Sequence, residues 1–167
     1  MSTDIPLVLR EAPFFDTTEI TVPSGVLVVS QEFPEVGLDD LRDIFDSSFG
    51  TLAQHGPVGP GYAIYRGEVG PDTQCDLEIG FPVAQPAELD SDDPFGGDVQ
   101  NAEFPAGRAL AMSHIGGFDG LGSAWESLMT THFARGGQPP SAIAEIYVTD
   151  PSVTEQEDLR TDLLVLY

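Results

Sequence analysis

The chain has 167 residues, 41% hydrophobic and 9% aromatic, with 18 Gly, 14 Pro and a single Cys; this is enough apolar material for a buried core and too much for a disordered chain. Six cations against 28 acids give a net charge of −22, every cation is Arg and Lys is absent. Such a chain is repelled by a phosphate backbone and by an anionic membrane surface, which excludes direct nucleic-acid binding and surface membrane binding and leaves a solvated anionic exterior or a high-salt cytoplasm as the meaning of the acidity.

No apolar run approaches a membrane span, and the first residues, MSTDIPLVLREAP, lack the basic-then-apolar order of a secretory signal. Cys75, alone, can form neither an intramolecular disulfide nor a thiolate zinc cluster, so it reads as a packed strand residue and the expected compartment is the reducing cytoplasm.

In chain order, VLVVS over 26–30 reads as a strand. A helix follows, with Leu38, Leu41, Phe45, Phe49 and Leu52 at helical spacing, Asp39, Asp40 and Asp43 opposite the stripe or in the first turn, and Gly56-Pro57 as a stop. Strands YAIYR (62–66) and DLEIGF (76–81) come next. The stretch AQPAELDSDDPFGGD then carries Glu88, Asp90, Asp92, Asp93 and Asp98 with no base, a solvated connector. RALAMSHI (108–115) reads as a strand, Leu121, Trp125, Leu128, Met129 and Phe133 as a helical stripe stopped by Gly136-Gly137, and AEIYV (144–148) and DLLVLY (162–167) as two more strands.

The second half repeats the order of the first. Pro23 and Gly25 match Pro105 and Gly107; Ser30 matches Ser113 with a one-residue adjustment; Leu38, Leu41, Phe45, Phe49 and Gly56 match Phe118, Leu121, Trp125, Met129 and Gly136; Tyr65 matches Tyr147. The expected organisation is a single α+β domain over 1–167, with a first repeat at 17–86, the acidic connector at 87–97 and a second repeat at 98–167. Each unit is strand–helix–strand–strand, and two such units must pair to bury a core. A pseudo-twofold antiparallel sheet with two main helices leaves a central cleft, a default place for a small ligand.

Glu145 is the leading candidate for chemistry. Alternation puts it on one strand face with Ile143 and Tyr147, opposite Ala144, Ile146 and Val148, and with both faces apolar its carboxylate is expected to be partly buried and to need a partner or a function. Its repeat counterpart is Ala63, so the fold does not require an acid there. Tyr62, Tyr65, Tyr147, Phe81, Phe118 and Trp125 are expected to line the cleft, because tyrosines around one carboxylate suit a flat, lipophilic cation. Phe45, Phe49 and Phe133 read as core. His114, ending a strand, could share acid–base work with Glu145, whereas His55 and His132 read as packed or surface residues; no metal-ligand spacing occurs and neither metal nor cofactor is expected. Without Lys a P-loop is impossible, and GLGSAWE fails the GxSxG pattern at Ala124.

These features together resemble the GyrI-like small-molecule-binding domain, also found as the effector-binding domain of AraC-type and MerR-type regulators. The residues that carry the resemblance are Pro105-Ala106-Gly107 before a strand, His114-Ile115-Gly116 before a helix, Trp125 within it, Gly136-Gly137 after it, and Glu145-Ile146-Tyr147-Val148-Thr149-Asp150-Pro151. In the first half Gly59-Pro60, Tyr62-Ala63-Ile64-Tyr65 and the segment from Asp76 to Val83 follow the same pattern. The resemblance runs from Ile20 to Tyr167 and implies a duplicated module with a ligand cleft at its pseudo-twofold axis, where Glu145 of a Glu-x-Tyr motif meets cationic lipophilic ligands. With only about twenty residues before the first matching strand, no helix-turn-helix is expected, and a regulatory role would need a separate regulator protein.

The resemblance implies two readings, a stand-alone binder or sensor of lipophilic, often cationic compounds, and a hydrolase of cyclopropane-bearing DNA-alkylating natural products in which Glu145 activates water and Tyr65 or Tyr147 donates to the oxyanion. A protein–protein interaction module using sheet edges or the acidic face is the third.

Overall fold

Short runs of β-branched and aromatic residues build an antiparallel sheet in a computed structural model that describes residues 13–37, 40–67, 75–86, 99–117, 120–137, 140, 142–149 and 154–166. The strands are β1 (Thr18–Val22), β2 (Leu27–Val36), β3 (Gly61–Gly67), β4 (Cys75–Pro82), β5 (Val99–Glu103), β6 (Gly107–Ile115), β7 (Ala142–Tyr147) and β8 (Arg160–Leu166), with α1 (Leu41–Leu52) between β2 and β3 and α2 (Leu121–Ala134) between β6 and β7. This is the expected α+β class. The connector at 87–97, Leu38, Phe118, Asp150-Pro151 and Tyr167 lie outside the described residues.

All eight strands form one sheet in the order β1-β6-β8-β7-β3-β4-β2-β5. Two of them were not expected: β1 and β5, TEITV and VQNAE, are short and polar on one face, so their composition resembles the loops around them. Each lies at an edge next to a strand of the other half, β1 on β6 and β5 on β2. The order reads the same from both ends when β1–β4 are exchanged for β5–β8, and the middle of that order is the β3–β7 pair.

Both helices cover one face of the sheet. α1 packs on β2 and β4, burying Val29, Leu52, Leu77 and Ile79, and α2 packs on β6 and β8, burying Leu110, Leu128, Leu163 and Val165. The central strands β3 and β7 therefore run along the seam between the helices. On the other face Tyr62, Ile64, Ala144, Ile146 and Leu164 are closed over by Phe14, Val22 and Phe104.

The stops fall where the glycines stand. After α1 a single 3-10 turn, Ala53–His55, ends at Gly56 with φ +71°, and Gly136 follows α2 with φ +82°, a backbone region that L side chains rarely adopt. Phe133 departs from the expected core: it is 48% exposed, while the next position round the helix, His132, is buried. Leu121, Trp125, Leu128 and His132 make the stripe that meets the sheet, and Phe133 falls beyond it. Cys75 is buried and free, as expected of a packed strand residue. Among the described residues no helix is long and apolar enough to cross a membrane.

Candidate functional site

On β7 the alternation holds as expected: Ile143 and Tyr147 face the helices, Ala144 and Ile146 the opposite core. Glu145 shares the helix face. It is central in the sheet, paired with Ala63 on one side and Leu163 on the other, and is 6% exposed. Three neutral donors converge on its carboxylate. The Tyr65 hydroxyl donates to Oε1 at 3.0 Å, the Tyr147 hydroxyl to the same oxygen at 2.7 Å, and the Trp125 indole N–H to Oε2 at 2.8 Å.

The register explains why both phenols arrive together. Ala63 and Glu145 are cross-strand partners, Tyr65 stands two residues after Ala63, and Tyr147 two residues after Glu145. The tyrosines thus approach the same oxygen from opposite sides of the Ala63–Glu145 pair, on one sheet face. Directly opposed side chains have Cβ atoms about 4.5–5.5 Å apart, so an acid in place of Ala63 would force two carboxylates together. One acid and one alanine at this pair is the arrangement that leaves a single uncrowded anion.

Burial raises the Tyr65 and Tyr147 hydroxyls well above the ordinary tyrosine range, and the Glu145 charge and the hydrogen bonds to it raise them further. Both phenols therefore stay protonated as donors through the neutral range. Among the described residues Glu145 forms no ion pair; the three ion pairs are Arg66–Glu78, Arg135–Glu19 and Arg160–Asp162.

Aromatic rings complete the surroundings. Phe45 and Phe49 of α1 stack on each other at 5.8 Å between centroids, and both meet Tyr147 edge-on, at 6.2 and 5.8 Å. Phe81 of β4 joins through an edge contact with Phe49 at 5.3 Å. Phe45, Phe49, Phe81, Trp125 and Tyr147 are all half-buried, in contrast to the fully buried aliphatic residues under each helix. Phe45 and Phe49 were expected in the core; their helical spacing shows that they face the sheet, but not that they stand beside the seam.

The expected site residues are thus partly assembled. Glu145, Tyr65, Tyr147 and Trp125 meet in one hydrogen-bonded cluster, and Phe81 stands in the aromatic group beside it. Tyr62 does not join them. It is three residues from Tyr65, an odd step that puts it on the other sheet face, where its hydroxyl donates to Glu78 Oε2 at 2.6 Å and its ring meets Phe104 edge-on. His114 is half-buried on β6, two strands away from β7, and its Nε2–H donates to the Gly117 carbonyl at 2.8 Å. Phe118 lies outside the described residues.

Glu145 is one of three buried strand acids among the described residues. Glu78 is 6% exposed and Asp162 fully buried, both on the face away from the helices. Glu78 takes the Tyr62 hydroxyl and, at 3.2 Å, an Arg66 N–H. Asp162 receives Arg160 at both oxygens, 2.9 and 3.0 Å, and the Ser113 hydroxyl at 2.6 Å. The same signal, an acid between Leu77 and Ile79 or before Leu163-Leu164, was present in the sequence. No group of three or more His, Cys, Asp or Glu able to hold a metal ion occurs among the described residues.

A family model described as the GyrI-like small molecule binding domain matches residues 19–167. The fold is similar to that of the EcmrR C-terminal domain, with a TM-score of 0.68 and 14% identity over 91% of this chain and 96% of that one. Against EcmrR in a complex with DNA the TM-score is 0.69 with 16% identity over 91% of this chain, which spans 57% of that longer one. A hydrolase from Listeria innocua gives a TM-score of 0.57 and 16% identity, covering 93% of both chains. SAV2435 bound to tetraphenylphosphonium gives a TM-score of 0.57 and 11% identity, over 90% of this chain and 92% of that one. At these identities the likeness is one of fold. No curated protein matches the sequence.

Proposed function

This chain belongs to the GyrI-like small-molecule-binding domain family, and from that premise we propose that it binds lipophilic, cationic small molecules at the seam between α1 and α2, with Glu145 as the charged anchor. The observation that carries the reading is the buried Glu145 carboxylate held, among the described residues, by three neutral donors and no cation, while the other two buried strand acids among them are each matched by an arginine. Phenol and indole donors satisfy the oxygens but leave the charge. A buried negative charge beside half-buried aromatic rings attracts a cation through Coulomb and cation–π terms, both stronger in a poorly hydrated setting than in water. The fold likeness to a protein bound to tetraphenylphosphonium, a lipophilic cation, supports the same ligand class.

Titration of a fluorescent lipophilic dye cation and of a neutral aromatic of similar size tests this. Glu145→Gln keeps the side-chain shape and removes the charge; cation affinity should fall about tenfold or more, with neutral binding changed little. Equal affinities of native protein and Glu145→Gln for both ligands would remove Glu145 from the site.

A second reading is favoured by the two phenols held protonated against the same carboxylate and by the fold likeness to a hydrolase. In the hydrolysis of a cyclopropane conjugated to a carbonyl, water adds to a ring carbon and gives its proton to Glu145. The ring C–C bond breaks toward the carbonyl, and a tyrosine protonates the resulting oxyanion. Product formed over many equivalents of protein would support turnover; product never exceeding one equivalent would leave binding alone.

A further inference from the structure

The two oxygens of Glu145 are unequally occupied, and the difference bears on which cations fit. A carboxylate accepts hydrogen bonds along about four lone-pair directions, two on each oxygen. Oε1 takes both Tyr65 and Tyr147, while Oε2 takes Trp125 alone. Oε1 is thus filled and one direction remains, on Oε2. On the reading of Glu145 as ligand anchor, the geometry points to a monodentate site: it selects a cation presenting one N–H, a protonated tertiary amine on an aromatic body, over forked amidinium or guanidinium groups.

A planar fork needs a free lone pair on each oxygen. Against a filled Oε1 its second N–H is buried without an acceptor, which costs the desolvation of that donor. The chain contains its own contrast. Asp162 receives the Arg160 fork at both oxygens, with a single further donor, Ser113, on Oδ1. Where a fork is bound, each oxygen keeps a direction for it.

Two probes on one aromatic body test this: dimethyl(naphthalen-2-ylmethyl)ammonium and 2-naphthamidinium, titrated calorimetrically at neutral pH. The tertiary ammonium should bind about tenfold or more tightly than the amidinium. Tyr65→Phe and Tyr147→Phe each free one direction on Oε1, and the variant that frees the one beside Oε2 should narrow or reverse the gap between amidinium and tertiary ammonium. Amidinium binding as tightly as tertiary ammonium in the native protein, or a gap unchanged in both variants, overturns the inference. Glu145→Gln separates this from the underlying reading. If both probes lose affinity in Glu145→Gln yet do not differ in the native protein, the monodentate preference alone fails. If no probe binds, or none responds to Glu145→Gln, the anchor reading fails with it.

Discussion

A buried carboxylate must be matched by donors or by opposite charge, and the three buried strand acids among the described residues meet that requirement in two ways. Asp162 and Glu78 are matched by arginines on the face away from the helices, and Glu145 by three neutral donors between them. Removing the partner of a matched acid exposes how much it was needed. Arg160→Ala leaves Asp162 fully buried with the Ser113 hydroxyl as its remaining donor, and stability to urea should fall by about 3–5 kcal/mol, the usual cost of an uncompensated buried charge. An unchanged urea midpoint would show that the pair contributes nothing. The strand neighbours of Glu145 single it out in the sequence, and Glu78 and Asp162 carry a similar signal. Their arginine partners differ in how far they can be read: Arg160 lies two residues from Asp162 on the same strand, whereas Arg66 reaches Glu78 from the neighbouring strand.

At the scale of elements, the aromatic group beside Glu145 is set by a missing side chain as much as by the rings. Gly61 opens β3 opposite Tyr147, and a Cβ added there would stand 2.6 Å from Phe49 Cε1 and 3.0 Å from Phe81 Cε1. Both rings therefore sit over the glycine. Gly61→Ala should push them off, with a stability loss of about 1–3 kcal/mol and a weaker affinity for an aromatic cation, seen by thermal melting and dye titration. A variant with native melting and native affinity would show that the rings can give way. Helix 3.6-periodicity predicted Phe45, Phe49 and Leu52 on the sheet-facing side of α1, where they pack, and the polar Ser48 is buried on that side as well, its hydroxyl donating to Gln31. On α2 it selected Phe133 by hydrophobicity, but the geometric stripe passes through His132, and packing rather than residue type decided which was buried.

For the whole molecule, the tyrosines tie stability to alkaline pH. Tyr62, Tyr65 and Tyr147 are all raised above their ordinary range, first by burial and then by the adjacent carboxylate. The unfolded chain releases these protons above about pH 10 while the folded chain retains them, so their contribution is complete below that pH and is lost as pH rises. Stability should then fall by up to about 1.4 kcal/mol per pH unit for each tyrosine, and Tyr65→Phe should remove one proton from the slope. Urea midpoints measured across the alkaline range check this, and a flat profile would contradict it. The net charge of −22 acts on the same scale, as a field that concentrates cations around the chain and weakens with salt.

The sequence by itself determined the α+β class, both helices and six of the eight described strands, and it put Glu145, Tyr65, Tyr147 and Trp125 among its candidate site residues together with Tyr62, Phe81, Phe118 and His114. These follow from local period and from residue types within one element, which the chain states directly. Even the exclusion of Tyr62 from the Glu145 face was available, as an odd step along β3. Tertiary structure alone decided that two short polar segments become edge strands, each beside the other half's sheet, because such strands are defined by their partners and not by their composition. It alone set Ala63 opposite Glu145 and brought two phenols to one oxygen and an indole to the other. Alternation fixes which face a residue takes within its own strand, whereas register fixes which residues of other strands it meets, and that depends on contacts some eighty residues apart.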